Sequence, residues 1–537
     1  MRLSQFYLGL GLVSVGAAKP AGQETYDYIV VGGGPAGIIT AERLAEANKK
    51  VLLLERGQGP TVATGATNAL VWNDTLTAVD IPALAPALPS GYMCTDTPGS
   101  AACVLGGGTS INFLVFVHPP AHDFATWPRG WNWKNVAPAA KRLYERNRGS
   151  TLPSADGQRY DQGLYSTLAP FFDSLGWRSV DMIEQPDEKH NIYSYPAWNI
   201  EDSKRAGPVR TYLPLAQQFP GFNLRLGTKV TRLLRSGKRV TGVEIEANGK
   251  IETIKLAARG RVVLSAGALS TPRILFHSGI GPKKQIQAAK ASGVKVPAEK
   301  DWIGLPVGEN LKDHPIFSIV ANTNGNWGQF DTASAVNGID EANIDLYEKS
   351  GSGVLAQGRH RLIFFTSRVG SDGVTRYFQG SCAASGNGIV TMTTYMTHGL
   401  TSTGSFGIDF NGTGVFEKPA YLQTAADNES ATVFIEDMIK AITDPSTGFT
   451  LQGNTNVTSI LAARRSGNHY TGTAKMGTDD GRRGGSSVVD TNTKVYGVDN
   501  LFVTDASIHP DLPTGNTQAI VMVAAEAAVA KILACKD

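Results

Sequence analysis

The chain has 537 residues, 42% hydrophobic and 18% charged, with a formal net charge of +3. That length exceeds one compact core, so two cooperating domains are expected, and the composition is that of an ordinary globular protein, neither disordered nor membrane-embedded. The charge is spread along the chain with no Lys/Arg run interleaved by aromatics, which removes nucleic acid from the candidate partners.

The first element in chain order is a leader. MRLSQFYLGLGLVSVGAAKP has one early charge at Arg2, an apolar stretch to Val15, and small residues at Gly16, Ala17 and Ala18. It reads as a secretory signal peptide over residues 1–18. No later stretch has the ~18 uninterrupted apolar residues of a membrane span. A secreted, extracellular protein without a membrane partner is expected. The four cysteines and the sequons at Asn73, Asn411, Asn428 and Asn456 fit that compartment. Cys94 and Cys103 are close enough in sequence for a disulfide across a short loop, while the state of Cys382 and Cys535 stays open. No cysteine spacing marks a metal site.

YDYIVVGGGPAGIITAERLAEANKKVLLLERG, from Tyr26 to Gly57, follows as strand, turn, helix and strand. Gly32 permits the tight turn, Gly34 lets the backbone approach a pyrophosphate, and Gly37 allows close helix–strand packing. The free N–H groups at the helix start favour phosphate. Glu55, at the end of the second apolar run, is placed to accept ribose hydroxyls. These residues point to a dinucleotide and leave FAD and NAD both open.

Four further segments come next: CVLGGGTSINFLVFVHP (Cys103–Pro119), GALSTPRILFHSGIGP (Gly267–Pro282), GNHYTGTAKMG (Gly467–Gly477) and NLFVTDASIHPDLPTGNTQAIVMVAAEAAVAKIL (Asn500–Leu533). Together with the N-terminal unit they resemble the glucose–methanol–choline (GMC) family of flavin oxidoreductases, in order and over nearly the whole chain. The resemblance implies an α/β fold. Its Rossmann-like FAD-binding domain would be assembled from residues 24–150, 203–315 and 466–537. A discontinuous α+β substrate domain, 151–202 and 316–465, would carry an antiparallel sheet with GIVTMTTYMT and GSFGIDF among its strands.

The same resemblance assigns roles. Gly107, Thr109 and Asn112 would lie beside the flavin, Val230 would meet the adenine through its backbone, and Asp505 would stand near the pyrophosphate or ribityl chain. No histidine in the glycine loop offers a covalent anchor, so FAD is expected to be noncovalent. The helix from about Thr517 would point its positive end at the flavin pyrimidine and stabilise the reduced, anionic form. His469 would be the base that takes a hydroxyl proton while hydride passes to flavin N5. Asn516 would hold the substrate oxygen. An unperturbed imidazole, pKa about 6.5, is neutral at mildly acidic to neutral pH and suits that task. His118, His122, His277, His314 and His509 are expected to be packing or loop residues. Asp156, Glu184 and Glu188 are candidates for contact with a polar substrate, though loop carboxylates are usually solvated.

Within the family the chain looks most like the flavodehydrogenase domain of fungal cellobiose dehydrogenases. SKRAGPVRTYLP (Ser203–Pro214), GSDGVTRYFQG (Gly370–Gly380), Asn516 and a substrate-side Asn468 carry that likeness, and it implies the Cys94–Cys103 disulfide as well. Tyr470 stands where that subgroup has Trp, Gly467 where it has Ser, and SCAAS lacks an expected Arg. A haem module ahead of Tyr26 is not expected. The leading expectation is oxidation of a sugar hydroxyl, at the anomeric carbon to a lactone, with electrons leaving to oxygen, a quinone or a redox protein. Oxidation of a non-sugar alcohol is the alternative, and a catalytically silent flavin- or carbohydrate-binding protein a third reading.

Overall fold

The structure is a computed structural model that describes residues 24–535; the expected signal segment lies outside them. Its first sheet has five parallel strands in the order Phe222–Arg225, Val51–Leu54, Tyr26–Val31, the C-terminal part of Lys250–Leu264, and Leu501–Val503. A parallel sheet is covered on both faces, so its strands are continuous apolar runs rather than alternating ones. Ile29, Val30, Val51 and Leu53 accordingly have no exposed surface. The strand Lys250–Leu264 belongs to two ladders. Its first half pairs antiparallel with Arg239–Ala247, which pairs in turn with Thr228–Ser236, and its last residues pair parallel with Tyr28–Val31.

The helix Pro35–Glu46 starts with proline at its first position, where the missing N–H would have no partner anyway. It packs against the last helix, Gln518–Ala534, which also meets Trp133–Arg146. Ile520 through Ala525 are all buried, the pattern of a helix enclosed on every side. The one acid in that helix, Glu526, is buried and accepts from Tyr212 (2.7 Å) and Arg43 (2.6 Å), so the charge is not left unpaired.

The second sheet is mainly antiparallel, with Pro315–Asn322, Ile389–Met396, Thr375–Gly386 and Leu362–Val369 side by side. Its strands alternate as one-sided sheets do. Phe317, Ile319, Val390, Met392 and Phe378 pack on the helices Gly163–Ser174 and Ala425–Ile442. Ile316, Thr391, Thr393, Tyr395 and Ala383 face the other way, into a cavity shared with the first sheet. GSFGIDF departs from expectation. Ser405–Ile408 forms a separate two-stranded ladder with Gly414–Lys418. Gln285 Oε1 and the Gly308 carbonyl take its Ile408 and Phe406 amides, and Phe406 and Ile408 are buried in the core of the first sheet. Among the described residues no helix is long and apolar enough to cross a membrane.

Candidate active site

A cavity of about 1470 Å³ opens between the sheets and divides into two ends by its lining. One end is built of backbone. Gly32, Gly34 and Pro35 line it beside Gly107, Gly108 and Thr109. The two glycine loops abut: a Cβ at Gly107 would lie 2.9 Å from the Gly34 Cα, and Gly107 has φ +54°. Gly34 itself has nothing nearer than 4.0 Å in front of its missing Cβ, which leaves its backbone open to a ligand. Gly37 is held tighter, since a Cβ there would meet the Gly32 carbonyl at 1.8 Å. Gly37→Ala is therefore expected to yield protein that purifies without flavin colour or not at all; yellow, stable G37A would refute the close-packing argument.

Glu55 lines this end and is nearly buried; its two oxygens accept Gly33 N–H and Gly57 N–H, both at 2.7 Å. Burial pushes its pKa up, and further lone pairs remain for ribose hydroxyls. Val230 lines the same end, just before a register shift that lets the Thr231 carbonyl accept from His277 Nδ1 (3.0 Å). Asp505 is also on the wall, with both carboxylate oxygens engaged. Oδ2 accepts Gly267 N–H and the Thr271 hydroxyl, and Oδ1 accepts the amide and hydroxyl of Ser507. In this structure Asp505 clamps two loops together. A hairpin from Met93 to Cys103 closes over this end, cross-linked by the Cys94–Cys103 disulfide and by Asp96 on Arg56, Lys229 and Arg273. Those three cations hold the Asp96 carboxyl well below the usual range, although burial opposes them.

Asn112 sits where the ends meet. Its Nδ2 donates to Gln518 Oε1 (2.6 Å), and its Oδ1 accepts from Arg205 Nη1 (2.9 Å). Gln518 Nε2 is buried on the cavity wall with no hydrogen bond, a donor aimed at space that a polar ligand atom would fill. Gln518 and Arg205 were not singled out from the sequence; only their contacts reveal them. The orphaned amide, the open glycine backbone and Glu55 fit a dinucleotide such as FAD.

The other end carries the titratable chemistry. His469 Nε2 lies 3.5 Å from Asn516 Nδ2, joining residues 47 apart in sequence. Asn516 is fixed by Gln379, whose Nε2 donates to Asn516 Oδ1 at 2.8 Å. The loop bearing Asn516 is tied down by Lys312 on Asp511, His398 on the Leu512 carbonyl, and Asp123 on the Thr514 amide. The backbone N–H of His469 donates to Asp313, which also accepts from His314 N–H, Tyr421 and Ser466. Burial lowers the His469 pKa to about 4. The imidazole thus stays neutral further into acid than the free side chain, a range composition alone does not reveal.

His314 corrects the sequence expectation. It is not only packing: its Nδ1 lies 2.9 Å from His469 Nδ1, and it is fully buried. No spacing signal connects positions 155 apart; adjacency of Pro315 to Ser466 across the sheet edge makes the contact. Asn468 is exposed on the cavity wall with φ +56°, and its Oδ1 accepts the Ser100 N–H at 3.2 Å. Asp156, Glu184 and Glu188 do not line the cavity; Glu184 and Glu188 pair with Arg148 and Arg178. His509 is buried against Trp127, off the wall.

The profile of the GMC oxidoreductase family matches residues 26–316 and again 412–525. An oxygen-dependent choline dehydrogenase of Vibrio vulnificus (strain YJ016) is 27% identical over 565 residues, covering 95% of each chain. The chloroplastic fatty acid photodecarboxylase of Chlamydomonas reinhardtii is 27% identical over 590 residues, covering 96% of this chain and 91% of its own. Among solved structures, pyridoxine 4-oxidase from Mesorbium loti superposes with TM-score 0.71 at 22% identity, covering 96% of this chain and all 100% of its own. An R554A variant of Aspergillus oryzae RIB40 formate oxidase gives TM-score 0.76 at 20% identity, covering 96% and 99%.

Proposed function

The chain belongs to the GMC oxidoreductase family of FAD-dependent enzymes, and we propose that it oxidises a small-molecule alcohol with His469 as the base that removes the hydroxyl proton. The placement of His469 and Asn516 together on the cavity wall carries this reading. FAD, when bound, supplies the hydride acceptor. The backbone of Gly34 and Gly107, with Glu55 and Gln518, would hold it. Asn516 Nδ2 and His469 Nε2 are 3.5 Å apart and both line the cavity, so one substrate hydroxyl can approach from the cavity side, its oxygen accepting from Nδ2 and its hydrogen directed at Nε2. Asn516 then orients that oxygen and stabilises the charge it gains.

Between substrate classes, the wall favours a non-sugar alcohol. Phe113, Val115, Ile316, Ala383 and Tyr395 form much of the substrate end, while the lining carboxylates Glu55, Asp96 and Asp505 belong to the cofactor end. A pyranose hydroxyl set against that apolar part of the wall would be left unpaired, at about 1–3 kcal/mol each. The runs that carry the cellobiose-dehydrogenase likeness bear mostly on the scaffold. Arg376 is fully buried on Asp372 and Asp427, and Arg205 lies beneath the glycine loop. The names choline dehydrogenase and pyridoxine 4-oxidase support the same class. Sugar oxidation at the anomeric carbon is the second reading, supported by the Thr391 and Thr393 side chains and Asn468 on the wall.

The histidines lining the cavity are His277, His360 and His469 and the lining cysteine Cys94 is in a disulfide; with His277 bonded to Thr231, the His360 ring set edge-on to Phe113 and His469 given to the base role, we read FAD as noncovalent, to be released by acid precipitation. The disulfide and the exposed sequon residues Asn411, Asn428 and Asn456 support secretion. Oxygen, a quinone or a redox protein would take the electrons onward. Anaerobic bleaching of the flavin against aryl and aliphatic alcohols, cellobiose, glucose and xylose tests the proposal. Bleaching by sugars alone would reverse the order of the two readings, and bleaching by none would favour a silent binding protein.

A further inference from the structure

We infer that His314 is a positioning residue that fixes the ring tautomer of His469, as the last member of a directional hydrogen-bond chain running from Gln379 through Asn516 and His469. The inference rests on His469 being the base. Its starting point is that two imidazole Nδ1 atoms stand 2.9 Å apart. Two neutral rings can share that contact only if one nitrogen carries hydrogen and the other a lone pair. Which one is decided from the cavity end of the chain.

At the cavity end, Gln379 Nε2 donates to Asn516 Oδ1. The Asn516 group left to face His469 Nε2 is its Nδ2, a donor. His469 Nε2 must then present a lone pair, and its hydrogen is on Nδ1. That hydrogen points at His314 Nδ1, which accepts. His314 in turn carries its hydrogen on Nε2, which is buried and has no hydrogen-bond partner among the described residues. The opposite polarity would set an N–H of His469 against the N–H of Asn516. The cavity end therefore demands one direction.

The loop that carries Asn516 is tied down through Asp511, Leu512 and Thr514, which fixes the cavity end of the chain. Asp313 holds the backbone N–H groups of both histidines, which keeps the rings in register. Tyr395 packs near both rings, and the contacts made by their ring nitrogens are with neutral groups, each other and Asn516. A lone pair at Nε2 facing the cavity is the state a proton acceptor needs. The second imidazole makes that state the resting one.

Two variants separate this role from packing. His314→Asn places an acceptor oxygen, Oδ1, where Nδ1 stood, and His314→Leu keeps the branch at Cγ without an acceptor. Selective ¹⁵N-histidine NMR on the flavin-loaded enzyme, with His469 signals assigned by their loss in H469A, reads the tautomer directly. The expected result is hydrogen on Nδ1 in wild type and H314N, and hydrogen on Nε2 or a mixture in H314L. Flavin reduction by substrate should slow roughly ten- to a hundredfold in H314L, and H314N should recover most of that loss. Hydrogen on Nε2 of His469 in the wild type would overturn the inference, whatever the variants do. So would wild-type reduction in H314L while H469A is slow. Wild-type reduction in H469A would instead remove the base assignment on which the inference rests.

Discussion

Replacing His469 with alanine is expected to slow anaerobic reduction of the bound flavin by about 10²–10⁴-fold, the usual contribution of a positioned general base. Folding and flavin content should change little, since the side chain is half-buried on a cavity wall and its backbone contact with Asp313 survives the substitution. Equal rates in H469A and wild type would mean that another group takes the proton. The pH profile sharpens the point. Catalysis needs the unprotonated ring, so the acid limb of kcat/KM should fall with decreasing pH through about 4, where burial places the folded pKa. A limb near the free value of about 6.5 would show that His469 is better hydrated than the structure has it. The linked stability runs the same way. Between pH about 6.5 and 4 the unfolded chain binds a proton that the folded one does not, so stability falls as pH falls across that window. Buried His118 and His509, with pKa lowered to about 4 and about 3, add to the same slope. Denaturant titrations at pH 7 and pH 4.5 should therefore differ in midpoint, the acid one being lower.

Substituting Arg205 with methionine is expected to cost about 3 kcal/mol or more and to release the flavin. The guanidinium is buried and donates through Nε to the Val79 carbonyl, and through Nη1 to the carbonyls of Thr109 and Asn112 and to Asn112 Oδ1. Methionine fills much of the volume but leaves these acceptors desolvated and unpaired, at about 1–3 kcal/mol each before relaxation. Asp80 keeps Arg210 as a partner at 2.8 Å, so the damage should concentrate on the glycine loop and Asn112. Lysine should not rescue, because a single ammonium cannot reproduce a planar fork. The check is a melting temperature together with flavin retained on desalting. Wild-type values for both in R205M would show that the loop holds its shape without the cation.

Much of the scaffold was legible because its signals are local. The glycines at 32, 34 and 37 and the apolar runs on either side of the first helix specify a strand–turn–helix whose physics is complete within some thirty residues. The Cys94–Cys103 loop is likewise short enough to read. GSFGIDF was misplaced for the opposite reason. Alternation makes a strand, but its partner depends on which surface Phe406 and Ile408 can bury against, and the core of the first sheet takes them. His314 was passed over in the same way. Nothing near Asp313–Pro315 distinguishes a packing histidine from one aimed at another ring.

The sequence by itself determined the dinucleotide unit, which rests on residue types at fixed spacing, and its resemblance to the GMC family supplied His469 and Asn516 as candidates. The tertiary structure decided what those residues can do. It paired His469 with His314, placed Gln379 behind Asn516, set Arg205 under the glycine loop, and brought apolar and polar side chains of the second sheet to the same cavity as His469. These relations join positions more than a hundred residues apart, or in the case of Arg205 nearly so. They exist only once both sheets have buried their apolar faces and brought their edges to one cavity, and no local pattern encodes which polar groups meet there.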